Sequence, residues 1–182
     1  MSIIVRSTKN CPNTTRILFG LEELGLAYTM ERVEDGVFSR EWGSPGPTIT
    51  DGDVTTIEPG AILRHLARRT GKLWPESLAL QAESDRLFEL QGRRISRAID
   101  NKDFPEVIRL VSFINAKLAG SNYLLGNELT LVDIYYAIFA MPESRKMMPF
   151  LATMPALSAF ADRIAARPAF VRAREMAAAH LL

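Results

Sequence analysis

The chain opens on Ile3-Ile4-Val5, an apolar run of β-branched residues that stops at the polar stretch Arg6-Ser7-Thr8-Lys9, and this pattern predicts a buried strand. A helical period follows. Ile17, Leu21 and Leu24 recur at i, i+4 and i+7, Pro12 suits the first helical position and Gly25 closes the run. Ala27 to Val33 reads as a second strand reached through that helix, so the first two strands should run parallel in a βαβ unit. Thr48-Ile49-Thr50 and Val54-Thr55-Thr56-Ile57 flank Asp51-Gly52, which predicts an antiparallel hairpin. Pro59 to Arg69 then places Ile62, Leu63 and Leu66 on one face of a helix.

Further along, the period is helical throughout. Residues 78–100 and 105–119 form the first pair, the latter with Val107, Val111, Ile114 and Leu118 in one stripe before Gly120. Thr130-Leu131-Val132-Asp133 has the spacing of a capping box, and Ile134, Ile138 and Met141 continue the apolar face of the helix it opens. Pro155 and Pro168 each start one more, with Leu157, Phe160, Ala161 and Ile164 striping the first of these. Eight of the 11 glycines lie in residues 1–71, whereas only Ala27, Ala61 and Ala67 of the alanines precede that point. Turn-rich sequence gives way there to helix-favouring sequence, which implies two domains, 1–71 and 78–182, joined by a linker at 72–77.

Composition narrows the function classes. The 182 residues are 47% hydrophobic and 24% charged, which is globular usage, and the formal net charge of +1 offers no broad footprint for nucleic acid or anionic lipid. One cysteine excludes an internal disulfide, and with two histidines beside it no cluster has metal-ligand spacing. The opening Met-Ser-Ile-Ile-Val-Arg carries no apolar leader run and no later stretch approaches a membrane span, so the expectation is a soluble cytoplasmic protein.

The sequence places Cys11 after a strand-ending loop and directly before Pro12, at a helix start where unpaired N–H groups and the dipole favour an anion. A thiolate is favoured by that address, with Lys9, Asn13 and Arg16 near it in sequence. The competing reading is a small buried hydrophobe, the commonest fate of a lone cysteine. Position decides for function, because α/β folds place ligands at loops after strand C-termini. Ser7, at the other end of the loop, competes for the role but has no nearby base and also reads as a loop-stabilising hydroxyl.

Cys11-Pro12-Asn13-Thr14-Thr15-Arg16 with Leu21-Glu22-Glu23-Leu24-Gly25-Leu26 resembles the start of helix one in the glutathione transferases, of a cysteine-type, omega- or nu-like kind. Pro47 with Asp51-Gly52 is similar to that family's cis-proline loop and hairpin, and Glu58 with Ala61-Ile62-Leu63 to the acidic motif opening its third helix. Leu129 to Ile134 and Arg163 to Phe170 resemble its buried capping box and C-terminal segment. The resemblance implies an α/β thioredoxin-like first domain (βαβ-α-ββα) followed by an all-α helical bundle. It implies a glutathione-dependent transferase or thiol oxidoreductase of detoxification type, with Cys11 and Asn13 catalytic. Ser7, Gly46, Pro47, Glu58, Pro59 and Gly60 would hold glutathione as co-substrate, beside a small hydrophobic or disulfide substrate. It further implies a homodimer, with no metal, nucleic acid or membrane partner.

Two positions and one segment depart from the family pattern. Pro59 supplies neither the hydroxyl nor the N–H that a Ser or Thr there gives to the γ-glutamyl carboxylate. Gly46 stands where a branched aliphatic usually precedes the proline, and the helical segment is short between residues 78 and 119. These departures motivate the alternatives of a non-catalytic binding or assembly module of the same fold, or an enzyme using another thiol or anionic small molecule. Arg86, Arg93, Arg94 and Arg97 read as a solvated face, Tyr135, Tyr136, Phe139 and Met141 as core, and His65, His180, Trp42 and Trp74 carry no assigned chemistry.

Overall fold

The computed structural model describes residues 2–9 and 11–180 and divides into two compact units, 1–72 with 167–182, and 73–166. The first is built on a four-stranded sheet in the order β2-β1-β3-β4, from β1 (Ile3–Ser7), β2 (Tyr28–Arg32), β3 (Thr48–Asp51) and β4 (Val54–Ile57). β1 and β2 are parallel, Ile3 facing Tyr28 and Ser7 facing Arg32, because helix α1 (Pro12–Leu24) returns the chain between them. β3 runs antiparallel to β1 and to β4, with Arg6 opposite Thr48 and Thr48 opposite Ile57. This mixed sheet with its crossover helix is the thioredoxin-like arrangement. The hairpin loop is Gly52-Asp53 rather than Asp51-Gly52: Asp51 pairs with Val54, and Gly52 takes the left-handed φ of +61° that a two-residue turn requires.

α1 begins at Pro12 and ends where Gly25, at φ 65°, turns its N–H back onto the Glu22 and Leu21 carbonyls. Helix α2 (Val37–Trp42) and helix α3 (Pro59–Thr70) complete the α/β segment. α1 packs on α3, and Ile17, Leu21, Ile62, Leu63 and Leu66 are fully buried with Ile3, Val5 and Ile49 of the sheet. The last helix also belongs to this unit: Phe170 meets Phe19 edge-on, ring centroids 5.3 Å apart, and Arg172 and Arg167 ion-pair with Glu22 and Glu23 of α1. Sequence assigned residues 167–182 to the helical segment by composition, whereas their packing groups them with the sheet.

The second unit is all helical, with α4 (Leu78–Glu89), α5 (Ser96–Asp100), α6 (Phe104–Leu118), α7 (Leu131–Tyr135), α8 (Pro142–Met147) and α9 (Pro155–Ala165); α10 (Pro168–His180) is the helix that packs on α1. α4 and α5 form one rod through a π-helical segment, Leu90–Ile95, in which Gly92 lies so close to Tyr135 that a Cβ would stand 2.7 Å from its hydroxyl. The helix expected to run on through Met141 stays α-helical only to Tyr135, continues as a 3-10 turn over Tyr136–Ala140, and stops at Met141, whose extended backbone Pro142 imposes. Tyr135, Tyr136, Phe139 and Met141 are buried as expected, and Arg86, Arg93, Arg94 and Arg97 are exposed. The 73–77 stretch is tied to this unit, Leu131 donating its N–H to the Leu73 carbonyl at 2.9 Å.

Candidate functional site at the start of α1

Strand register brings three loops to one end of the sheet. β1 ends at Ser7, β3 starts at Thr48 opposite Arg6, and β4 ends at Ile57 opposite Thr48, so the loop to Cys11, the loop through Gly46-Pro47 and the entry to α3 are neighbours. Cys11 is the N-cap residue of α1 and partly exposed. Its Sγ lies 3.8 Å from the Gly46 carbonyl oxygen, to which the thiol donates. The Gly46–Pro47 peptide is cis. Gly46 has φ +87°, and a Cβ there would fall 2.2 Å from the ring of Phe38, itself buried on α2. The glycine that departs from the family pattern is therefore demanded by α2 packing over the loop.

On the other side of the loop, Glu58 occupies the N-cap position of α3 at φ 71° and ψ 122°, and its side chain does not bond the helix N–H groups. Pro59 and Gly60 are buried behind it while Glu58 is exposed. Ser44, buried in the loop before Gly46, donates its hydroxyl to Glu58 Oε1 at 2.6 Å. Such a short bond is charge-assisted and fixes the carboxylate.

Two residues singled out from sequence each have a side-chain oxygen engaged elsewhere. Asn13 accepts from the Arg16 guanidinium through Oδ1. Ser7 is fully buried, 2.5 Å from the Thr14 hydroxyl and donating to the Thr8 carbonyl at 3.2 Å, so it serves the strand end rather than a ligand. Lys9 lines a separate open cleft of ≈ 450 Å³ with Arg32, Val33, Glu34 and Asp35. Cys11, Gly46, Pro47, Glu58, Pro59 and Gly60 remain as one group. Sequence reading missed Ser44 and Phe38, and no spacing signal pointed to either: Ser44 meets Glu58 only because the hairpin folds 14 residues back on themselves. Among the described residues, no group of three or more His, Cys, Asp or Glu side chains is placed to hold a metal ion.

A thioredoxin-like sheet with a cysteine at the first crossover helix, facing a cis-proline loop and followed by a helical unit, defines a class of thiol-handling proteins. Comparison with known proteins narrows it. The family model "Glutathione S-transferase, C-terminal domain" matches residues 85–168. Glutathione S-transferase 3 of Zea mays is 26% identical, over 87% of this chain and 87% of that protein. The theta class glutathione S-transferase of Xanthomonas axonopodis pv. citri superposes with a TM-score of 0.72 at 26% identity, covering 95% of this chain and 97% of its own. A glutathione transferase family member of Pseudomonas fluorescens Pf-5, solved with two glutathione bound, shares the fold at a TM-score of 0.80 and 22% identity, covering 94% and 92%. Residues 85–168 thus match a glutathione S-transferase C-terminal domain, and the chain as a whole is similar to glutathione S-transferases.

Proposed function

We propose that this protein is a glutathione-dependent transferase in which Cys11 exchanges thiols with a small disulfide or electrophile. The observation that carries the reading is the partly exposed Cys11 sulfur, 3.8 Å from the Gly46 carbonyl at the start of a 13-residue helix. The surroundings suit a tripeptide thiol: the Gly46 backbone lies beside the sulfur, the Glu58 carboxylate is exposed for an ammonium, and the N-terminus of α3 offers peptide N–H groups to an anion. Relatives solved with glutathione bound support the same co-substrate.

In thiol transfer, Cys11 Sγ attacks the glutathionyl sulfur of a mixed disulfide R–S–SG. The S–S bond of R–S–SG breaks, a Cys11–glutathione mixed disulfide forms, and the departing RS⁻ takes a proton. Attack by the thiolate of a second glutathione on the glutathionyl sulfur releases Cys11 and yields glutathione disulfide, so the electron pair that reduces R–S comes from glutathione. A hydroxyl at position 11 would support conjugation but not this exchange. Replacing Cys11 by Ser should lower disulfide reductase turnover at least about a hundredfold while glutathione binding, followed by calorimetry, persists. Full reductase activity in Cys11→Ala would overturn the assignment.

The same reading carries a homodimer and a cytoplasmic setting. Leu78, Leu80, Ile108 and Phe113 are exposed on α4 and α6, 82%, 40%, 40% and 45% accessible, which supports a second copy of this chain as the partner of that face. No described helix is long and apolar enough to cross a membrane. Sedimentation velocity should give a dimer, and a single monomeric species at working concentration contradicts it.

A further inference from the structure

We propose that the cleft between α8 and α9 binds a free α-amino acid with an apolar side chain, its carboxylate held by Arg145 and its ammonium by Asp162. The site lies within the helical unit and stands independently of the glutathione reading.

Three Met-Pro steps make the cleft. Pro142, Pro149 and Pro155 each keep the preceding methionine out of the helical region, with Met141 at ψ 130°, Met148 at ψ 69° and Met154 at ψ 85°. The chain broken at these places forms the short α8, a 3-10 turn over Pro149–Thr153 and then α9, instead of one continuous rod. These pieces enclose a cleft of ≈ 270 Å³, just under the usual range of small-molecule sites, about 300–1,000 Å³. That size suits an amino acid and is too small for a peptide. Phe139, Met148, Leu151, Leu157 and Ala161 line it, and all five are buried. Ser158, also in the lining, donates its hydroxyl to the Leu151 carbonyl at 3.0 Å, which ties the turn to α9. The unbranched thioether of Met148 adapts to side chains of different shape.

Arg145 and Asp162 are the charged members of the lining. Arg145 donates through Nη2 to Asp162 Oδ1 at 2.7 Å and through Nε to the Phe139 carbonyl at 3.4 Å. The two side chains are 40% and 68% accessible, so their pair faces solvent and adds little to stability. A guanidinium has five N–H donors, of which these bonds use two. Among the described residues, only Oδ1 of Asp162 accepts a side-chain bond. A cation and an anion side by side above an apolar floor select by charge pattern. A lone carboxylate at Arg145 also meets the Asp162 charge, and a lone ammonium at Asp162 also meets Arg145, whereas a zwitterion presents the opposite charge to each. Its apolar side chain then fills the buried part of the cleft.

The test is calorimetry on the full chain with L-leucine and three probes that each lack one part of it: 4-methylpentanoate without the ammonium, 3-methylbutylamine without the carboxylate, and glycine without the side chain. L-Leucine should bind with a Kd below about 1 mM, and each of the three at least about tenfold more weakly. Asp162→Asn should weaken L-leucine several-fold and tighten 4-methylpentanoate, while Arg145→Gln should weaken L-leucine and tighten 3-methylbutylamine. An ion pair that merely clips α8 to α9 instead shifts every probe in the same direction. That uniform shift overturns the proposal, as does equal affinity for L-leucine and its two singly charged analogues, or a Kd for L-leucine above the stated limit.

Discussion

Gly46 and Ser7 show how much a single side chain can fix near Cys11. Gly46 combines a left-handed φ with the face of Phe38, so any Cβ must push into a buried aromatic ring. Gly46→Ala is expected to destabilise the fold by about 2–3 kcal/mol through clash and unfavourable φ together. The double variant Gly46→Ala/Phe38→Ala should lose less than the sum of the two single losses, as urea midpoints will report. Strict additivity would mean that the contact is not what requires glycine. Ser7 poses a different question, because its hydroxyl is sealed against Thr14. Ser7→Ala leaves the Thr14 hydroxyl short of its partner and should cost about 1–3 kcal/mol of stability, yet activity per folded molecule should equal that of the parent. A loss of turnover comparable with that of Cys11→Ala would show Ser7 to be part of the reacting group. The sequence reading ends this strand before Ser7, whereas the structure carries β1 through Ser7, in phase with the buried Ile3 and Val5.

Among the elements, the start of α7 depends on a charge placed where none is comfortable. Asp133 is fully buried and accepts from the Thr130 N–H at 2.8 Å, the Thr130 hydroxyl at 2.9 Å and the Leu124 N–H at 2.8 Å, fastening the preceding loop to the helix. Burial still outweighs these donors and pushes its carboxyl up to about 6 from 3.8. The folded state therefore holds the proton more tightly than the unfolded chain. This contribution to stability is complete below pH 3.8 and is lost as pH rises through about 6. Glu83 behaves oppositely: hydrogen bonds from Arg86, and then from Lys117, lower it to about 2 from 4.5, so its contribution is present above pH 4.5 and lost only on further acidification. The interval from pH 4.5 to 6 thus isolates Asp133. Asp133→Asn should be less stable than the parent, with the gap narrowing by about 2 kcal/mol across that interval as pH rises, in chemical denaturation. A gap independent of pH would mean that Asp133 is ionised throughout.

At the scale of the whole molecule, the chain returns from its helical stretch to finish the unit in which it began. α10 buries Phe170 against Phe19 and sets Arg167 and Arg172 on the two acidic residues of α1. The exposed Arg172–Glu22 pair contributes little beside the aromatic contact. Phe170→Ala is expected to cost about 3–5 kcal/mol and to expose Cys11 to faster alkylation as the first unit opens, although position 170 is remote from it in sequence. Charge reversal at Arg172 should change stability by less than about 1 kcal/mol. If Phe170→Ala leaves the denaturation midpoint unmoved, α10 is an accessory rather than part of that core.

Period and punctuation alone determined the elements: the parallel pair, the hairpin, the Pro12 and Pro59 helix starts, the Thr130–Asp133 box and the cysteine at a helix entrance are all local, set by spacing within a few residues. Tertiary structure decided what lies between distant segments. It chose the Ser44 hydroxyl on Glu58, Phe38 over Gly46, the burial of Thr14 with Ser7 and the docking of α10 on α1. Side-chain hydrogen bonds and ring contacts are short-ranged, so their partners follow from strand register and helix packing, and those are properties of the folded chain that no window of sequence contains.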